Sequence, residues 1–308
     1  MNNPEVTIAI PFRNPGADLV LAVQSVFAQT FSDWELILCD DGSDDNSLDF
    51  ARSLDDPRVR VVSDGLGKGL APRLNETIRA ARGEFYIRMD ADDVMHPDRV
   101  QSQLEILRNA SASTVVGTAA YSIDRDSRTV GIRPARSRPG RGFAARHNLC
   151  HSSVAARTEW FRSNPYTEKP IHLRSEDAEL WCRTAERTQF AVISRPLMYF
   201  READSFSYTK YLGTSMGVIQ LVRDHSNGSL QSCYLLTREL AKIWLTSVLD
   251  IFGRVHWVTD RRFKPILAAE LQEAQKGLER VMQQPLPVAP FVYVCGDRSS
   301  SSSKGGQR

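Results

Sequence analysis

Paired cysteines, a long hydrophobic run and an excess of charge of one sign are all absent from this 308-residue sequence. The five cysteines are scattered and form no Cys-x-x-Cys pair, so we expect neither a disulfide framework nor a zinc knuckle. The most apolar late stretch, residues 243–252, contains Asp250 and is far shorter than the roughly 20 residues that span a bilayer. A net charge of +2 is too small to indicate a non-specific nucleic-acid binder, and no nucleic-acid partner is expected.

Several short motifs of known enzyme classes are absent as well. The chain has no Walker A motif, no Gly-x-Gly-x-x-Gly and no Gly-x-Ser-x-Gly, and the glycine-rich segment 65–69 lacks the spacing of a phosphate loop. The histidines show no metal-ligand spacing, which disfavours zinc. No basic region precedes the first apolar run, so no secretion signal is expected. We predict a cytoplasmic protein that is at most bound peripherally at the inner face of a membrane.

Short β-branched runs alternate with amphipathic stretches from Val6 to about Phe200. This alternation predicts an α/β fold with a mostly parallel central sheet flanked by helices. The predicted strands cover residues 6–10, 35–39, 59–62 and 85–89. The predicted helices cover 16–29, a segment capped by Ser43 and running to about 54, a segment from Leu70 to Ala81 that Gly83 terminates, and one opened by Pro97.

Two later segments differ in character. Residues 124–146 interleave arginine with Gly, Pro and Ser, which predicts a mobile basic loop. Residues 211–296 show long helical periodicity and are predicted to form a helical C-terminal region, and the Ser- and Gly-rich residues 297–308 a disordered tail. The arginines of the basic loop are Arg125, Arg128, Arg133, Arg136, Arg138, Arg141 and Arg146.

Carboxylates follow two of the predicted strands, where an open α/β sheet places its ligands. Asp40 and Asp41 could accept hydrogen bonds from a nucleobase or a ribose, and an Asx-turn with a helix cap explains them equally well. Asp90 and Asp92 lie one residue apart on a turning backbone and could share a hard divalent cation with a diphosphate. A solvated acidic turn is the alternative for this pair.

A third acidic pair, Glu176 and Asp177, begins a predicted helix. Acidic residues in a first turn ordinarily complement the helix dipole. The functional alternative is a general base that takes the proton of an attacking sugar hydroxyl.

Taken together, five segments in order resemble glycosyltransferase family 2, over residues 4–207. They are residues 6–14, 24–31 and 34–43, the Asp-x-Asp segment 80–93 and the Glu-Asp segment 175–181. The resemblance implies a GT-A fold, which is Rossmann-like, over residues 1–210, with a nucleotide-binding part at about 1–120 and an acceptor part at about 121–210. It also implies an inverting transfer of a sugar from a nucleoside diphosphate sugar to an acceptor hydroxyl, assisted by Mn²⁺ or Mg²⁺.

The resemblance also implies roles for residues that match the family's motifs. By motif position these are Asp177 as catalytic base, Asp92 and Asp90 as metal ligands, Pro11, Arg13, Asp40, Asp41, Asp90 and Arg201 for the nucleotide sugar, and Glu176 and His151 on the acceptor side.

We therefore expect a UDP-sugar-dependent hexosyl- or N-acetylhexosaminyltransferase of surface polysaccharide or glycoconjugate synthesis, with a glycan or lipid-linked glycan as acceptor. A sugar-nucleotide nucleotidyltransferase would need a glycine-rich, lysine-bearing loop near the N-terminus, which residues 11–16 do not supply. A non-catalytic nucleotide- or glycan-binding module of the same fold is the other alternative. The basic loop and the C-terminal helices suggest peripheral contact with an anionic membrane, or a homodimer through those helices.

Overall fold

The chain builds one large sheet that is covered by helices. The computed structural model describes residues 3–138, 146–169, 175–202, 208–224, 230–251 and 266–289. Its strands are β1 (Val6–Phe12), β2 (Trp34–Asp40), β3 (Val59–Val62), β4 (Phe85–Arg88), β5 (Val94–Met95), β6 (Thr114–Ile123), β7 (Thr129–Arg133), β8 (Arg136–Arg138), β9 (Arg146–Asn148), β10 (Ala155–Arg157) and β11 (Gln189–Arg201). Its helices are α1 (Asp18–Phe27), α2 (Ser47–Ser53), α3 (Leu70–Ala80), α4 (Arg99–Leu107), α5 (Thr158–Ser163), α6 (Glu176–Thr184), α7 (Tyr208–Asp224), α8 (Leu230–Ile251) and α9 (Ala268–Met282).

The main sheet has the strand order β3-β2-β1-β4-β10-β6-β11-β5, and β7 pairs with β6. Strands β3, β2, β1 and β4 are parallel. Because β10 is antiparallel to both β4 and β6, strands β6 and β11 run in the same direction as β4. The predicted α/β class with a mostly parallel sheet is confirmed.

Helices cover both faces of the sheet at β1, whose consecutive side chains point to opposite sides. Ile8 and Ile10 of β1 join a hydrophobic cluster with α1 and α4. Ala9 joins a second cluster with α3, α5 and α6. The polar ends of the parallel strands are therefore the places where functional groups reach solvent.

The four predicted strands are present, but two predicted helix boundaries are wrong. Helix α2 begins at Ser47, and Ser43 is not its cap: the Ser43 hydroxyl accepts the Asn14 amide at 3.1 Å. Helix α3 ends at Ala80, three residues before Gly83. A Cβ at Gly83 would overlap the backbone of β1, so this glycine permits close approach of two chain segments instead of ending the helix.

The predicted mobile basic loop is wrong for most of its described residues. Strand β7 pairs antiparallel with β6, and β8 pairs with β9. Arg133 stacks on the Phe200 ring at 4.7 Å and forms an ion pair with Glu202 at 3.4 Å, so its charge is balanced within the fold. Arg141 and the predicted tail 297–308 lie outside the described residues.

The last described helix is packed against the sheet. Ala274, Leu278 and Val281 of α9 form a hydrophobic cluster that includes Tyr199 of β11. The Tyr199 hydroxyl donates a hydrogen bond to the Ala274 carbonyl at 2.8 Å. Helices α7 and α8 contact each other. In the described part of the chain, no helix has both the length and the apolar character needed to cross a membrane.

Candidate active site

Asp40, the last residue of β2, is buried and uses both carboxylate oxygens inside the protein. Its Oδ1 accepts the Ser43 amide at 2.9 Å, and its Oδ2 accepts the Ser63 hydroxyl at 2.8 Å. Burial raises the pKa of Asp40, but these hydrogen bonds outweigh burial and lower it. Asp40 therefore fixes the turn after β2, and its predicted contact with a nucleobase or ribose stays a prediction.

Asp41 holds the glycine-rich segment 65–69 next to the end of β2. Its Oδ1 accepts the Lys68 amide at 2.6 Å and the Gly69 amide at 3.0 Å. Gly69 has φ of +92°, a conformation that favours glycine. A Cβ at Gly67 would lie 3.0 Å from Arg13, which places the exposed Arg13 side chain against this segment. Arg13 and Asp41 thus both lie against this loop, and Pro11 is buried in β1. Their predicted role in binding the nucleotide sugar stays a prediction.

Arg73 of α3 is a partner of Asp41 that the sequence analysis did not single out. It is fully buried and pairs with Asp41 at 3.0 Å, with Asp64 at 2.6 Å and with Glu76 at 2.7 Å. Burial alone would lower the pKa of Arg73, but the three carboxylates raise it. This arginine locks the loop that Asp41 holds. No local sequence signal marks it, because its partners are 3 to 32 residues away in the chain.

Three carboxylates converge where β4 ends. Oxygen atoms of Asp90, Asp92 and Asp93 all lie within 4.8 Å of one another, which suits a divalent cation with oxygen ligands. Burial and the charge of Asp90 raise the pKa of Asp92 and, more strongly, that of Asp93. The Oδ2 atom of Asp93 is buried without a hydrogen-bond partner. Like charges held together with an unpartnered oxygen fit a cation, and Asp93 is a member of this cluster that the sequence analysis missed.

Arg201 lies at the end of β11 beside this cluster and is engaged by the protein itself. Its backbone amide donates to Asp93 at 2.9 Å. Its guanidinium donates to the backbone carbonyls of Asp92 at 2.9 Å and Asp124 at 2.8 Å. Arg201 therefore ties the acidic turn to β11, and its predicted pairing with phosphate oxygens stays a prediction.

Arg88 connects the acidic cluster with the Glu176–Asp177 pair. The side chain is 1% exposed, and its Nη1 donates to Asp90 at 2.7 Å. Burial disfavours its charge, but Asp90 and then other acidic groups, Glu176 among them, raise the pKa of Arg88. One buried cation of the Asp-x-Asp segment thus interacts with Asp90 and senses the charge of Glu176, so the Glu-Asp motif lies near this segment in the fold.

Glu176 and Asp177 form the first turn of α6, after Ser175. Asp177 Oδ1 accepts the Ala178 amide at 2.7 Å, which orients the carboxylate. Burial raises the pKa of both acids, and the Asp177 charge raises that of Glu176 further. A carboxylate with a raised pKa is a stronger base once it is ionised.

His151 contacts Tyr166, which lies near the Glu176–Asp177 pair. Its Nε2 lies 2.9 Å from the Tyr166 hydroxyl. Burial and the nearby Arg88 charge hold the pKa of His151 well below its ordinary value, so the ring is neutral. Burial also raises the pKa of Tyr166, and Asp177 and Glu176 raise it further. Tyr166 is therefore a neighbour of the acidic pair that the sequence analysis did not single out.

The family model described as "Glycosyl transferase family 2" matches residues 7–164, about half of the chain. The chain belongs to glycosyltransferase family 2. This family assignment makes the protein a glycosyltransferase, as predicted from the ordered motifs. The matched range includes β1, β2, β4 and the acidic cluster.

Curated relatives carry glycosyltransferase names. EpsE of Bacillus subtilis (strain 168) is 31% identical over 193 residues, which cover 60% of this chain and 68% of EpsE. The Escherichia coli enzyme WfgD is named a UDP-Glc:alpha-D-GlcNAc-diphosphoundecaprenol beta-1,3-glucosyltransferase. It is 26% identical over 63% of this chain and 75% of its own length. Some other curated relatives are much longer proteins, of which the matched region spans less than a fifth.

Solved structures share the fold. The Staphylococcus aureus TarS fragment 1–349 in complex with UDP-GlcNAc has a TM-score of 0.57 at 15% identity, covering 91% of this chain and 82% of that one. A Pyrobaculum calidifontis mannosyltransferase in complex with GDP-Man and Mn²⁺ has a TM-score of 0.54 at 12% identity, covering 92% and 87%. These neighbours support the GT-A-like fold predicted for this family 2 chain.

Proposed function

We propose that this glycosyltransferase moves a sugar from a UDP-sugar to an acceptor hydroxyl with inversion at the sugar carbon, using Asp177 as general base. The observation that carries the proposal is the position of Arg88. It is ion-paired with Asp90 of the acidic cluster at the end of β4, and the charge of Glu176 at the start of α6 helps to raise its pKa. An inverting displacement needs a base on one side of the sugar and charge stabilisation of the leaving diphosphate on the other.

We assign Asp90, Asp92 and Asp93 as the ligands of a Mn²⁺ or Mg²⁺ ion. The convergence of the three carboxylates, the raised pKa values of Asp92 and Asp93 and the unpartnered Asp93 oxygen fit such an ion. When bound, the cation would neutralise charge that develops on the leaving diphosphate. The Arg88 guanidinium holds Asp90 in a fixed orientation, and Arg201 fixes the backbone of the turn that presents Asp92.

Asp177 acts as the base through one of its two carboxylate oxygens. Because Oδ1 accepts the Ala178 amide, Oδ2 is the atom we assign to receive the acceptor's proton. Its raised pKa suits a base that acts as the new bond forms and the hydroxyl becomes acidic. Glu176 and the neutral His151 border the space assigned to the acceptor.

The loop at Asp41 and the named relatives support a choice of donor and acceptor. We assign Asp40, Asp41, Pro11 and Arg13 to the nucleotide, with UDP favoured because the TarS neighbour was solved with UDP-GlcNAc. A hexose or N-acetylhexosamine is the sugar expected. We propose a glycan or lipid-linked glycan acceptor in surface polysaccharide synthesis, since WfgD is named for a diphosphoundecaprenol acceptor. Peripheral membrane contact belongs to the same proposal.

The deciding experiment is calorimetric titration of the full chain with UDP, GDP, dTDP and CDP, each with and without Mn²⁺. We expect metal-dependent binding of UDP that Asp92→Ala abolishes, followed by UDP release from a UDP-sugar when a glycan acceptor is added. Binding of UDP without any release on a panel of acceptors would favour the non-catalytic module. Preferred binding of GDP would replace UDP in the proposal.

A further inference from the structure

The turn that bears the acidic cluster leads directly into the shortest strand of the main sheet. Strand β5 begins at Val94, the residue after Asp93, and is two residues long. It stands at the end of the sheet order, next to β11. Two residue pairs join these strands, Val94 with Tyr199 and Met95 with Met198. Because each backbone hydrogen bond contributes only about 1 kcal/mol net, the placement of the turn depends on what packs against β5 and β11.

Polar contacts with β11 hold the chain on both sides of β5. Before β5, the Arg201 amide donates to the Asp93 carboxylate at 2.9 Å, and the Arg201 guanidinium donates to the Asp92 carbonyl at 2.9 Å. After β5, the His96 amide donates to the Leu197 carbonyl at 3.1 Å. A shift of β11 relative to β5 would therefore move two members of the acidic cluster.

Helix α9 packs on both of these strands. Val94 and Tyr199, which pair across the ladder, are buried in one hydrophobic cluster with side chains of α9. The Tyr199 hydroxyl also donates a hydrogen bond to the Ala274 carbonyl at 2.8 Å. The α9 members of this cluster are Ala274, Leu278 and Val281.

Gly277 allows the helix to approach this closely. A Cβ there would overlap the Tyr199 hydroxyl and would lie 3.0 Å from the nearest atom of the His96 ring. The rings of His96 and Tyr199 stack with their centroids 6.2 Å apart. One turn of α9 thus touches a residue of β11 and the segment just after β5 at the same time.

We infer that α9 positions the acidic cluster, so that docking of α9 and binding of a divalent cation by Asp92 and Asp93 strengthen each other. Tyr199 and His96 are the positioning residues, because each contacts α9 and each lies on a segment that holds the acidic turn. This inference rests on the assignment of the cluster to a metal ion in the proposed function. Such coupling is reciprocal, so the cation stabilises the docked helix by the factor by which docking tightens the cation.

A purely structural role of α9 predicts a different result. A helix that only covers apolar surface lowers the Tm when it is loosened, but it leaves the cation affinity of the folded protein unchanged. The coupled role changes both quantities. Cation affinity measured on folded protein therefore separates the two roles.

The first test is calorimetric titration of the full chain with Mn²⁺ alone, at a temperature at which every variant is folded. We expect the Kd for Mn²⁺ to rise about fivefold or more in Gly277→Ala. Adding Tyr199→Phe removes the hydroxyl that the new Cβ would overlap. The double variant should therefore bind Mn²⁺ more tightly than Gly277→Ala does, although it lacks the bond to Ala274.

Ile78→Val is the matched control. Ile78 is buried in α3 and belongs to a different hydrophobic cluster from Tyr199. Its loss of a methylene should lower the Tm and leave the Kd for Mn²⁺ as in wild type.

Hydrogen exchange gives the reciprocal readout. Mn²⁺ should slow exchange of the amides of α9 in wild type and not in Asp92→Ala, at times too short for the buried amides of α3 to exchange. Equal Mn²⁺ affinity of wild type and Gly277→Ala, or exchange of α9 that bound Mn²⁺ leaves unchanged, would overturn the inference and keep the metal assignment. Absence of Mn²⁺ binding by wild type would overturn the metal assignment itself, and the inference with it.

Discussion

Arg88 and Asp90 form a two-point contact at the end of β4, with nitrogen–oxygen distances of 2.7 and 2.5 Å. The arginine is fully buried, whereas the aspartate side chain is 29% exposed. The charge of Asp90 in the acidic cluster is thus balanced by a buried guanidinium. The positive charge of Arg88 reduces the repulsion between the carboxylates of Asp90, Asp92 and Asp93 in the absence of substrate.

Loss of the Arg88 side chain should destabilise the fold. Arg88→Met leaves the acidic cluster without its buried partner, and we expect the free energy of unfolding to fall by about 3 kcal/mol. Arg108 and Glu5 form a similar two-point pair at the surface, so Arg108→Met should cost less than about 1 kcal/mol. Urea denaturation of both variants measures the difference. Equal losses would mean that the buried pair stabilises the fold no more than the surface pair does.

Replacing the proposed base should separate binding from chemistry. Asp177→Asn keeps the size of the side chain and the acceptor for the Ala178 amide, but it cannot take a proton. We expect turnover of a UDP-sugar to fall about 10²- to 10⁴-fold while the Kd for UDP changes little. Glu176→Gln is the matched control, and its effect on turnover should be much smaller. A parallel loss of UDP affinity in Asp177→Asn would contradict the role as base.

Activity should fall on the acidic side of the pH profile. Burial raises the pKa of Asp177, and a base works only when ionised, so kcat/KM should fall as the pH drops through this raised pKa. Because the pKa of His151 is lowered, its ring stays neutral over that range, and His151→Gln should keep the acidic limb. Steady-state rates against pH for both variants and wild type test this. An unchanged acidic limb in the residual activity of Asp177→Asn would assign it to another group.

Asp93→Asn should stabilise the protein without metal. Its carboxyl has a pKa well above the ordinary value, so ionisation at neutral pH opposes folding, and stability is lost as the pH rises from the unfolded pKa to the folded one. Asparagine removes this cost and can still accept the Arg201 amide. We expect a gain of about 1 kcal/mol in EDTA and a smaller Tm increase on adding Mn²⁺ than in wild type. Asp90→Asn, which weakens the pair with Arg88, should destabilise.

Gly277 tests whether α9 belongs to the fold. A Cβ there would overlap the Tyr199 hydroxyl, so Gly277→Ala should lower the Tm although alanine favours helix. Gly213→Ala, at an exposed position of α7, should raise stability by about 0.5 to 1 kcal/mol. Thermal denaturation followed by circular dichroism compares the two variants. A raised Tm for Gly277→Ala would mean that α9 is not docked in solution.

Much of the sheet could be predicted because its signals are local. The apolar runs that became β1, β2 and β4 are buried on both faces, and such strands stand out in the sequence. The basic segment was misinterpreted because its arginines are balanced by distant partners, such as Phe200 and Glu202 for Arg133. Charge and composition describe only the residues of the segment itself. They carry no information about partners that the fold brings close from elsewhere in the chain.

The sequence by itself determined the family, the order of its motifs and the acidic pairs at Asp90 and Asp177, because each motif is a run of neighbouring residues. Only the tertiary structure decided that buried Arg88 interacts with both motifs, that Asp93 completes the acidic cluster, and that α8 exposes large apolar side chains. These relationships depend on which strand ends share an edge and which helix faces pack. They arise from burial and charge compensation between segments far apart in the chain.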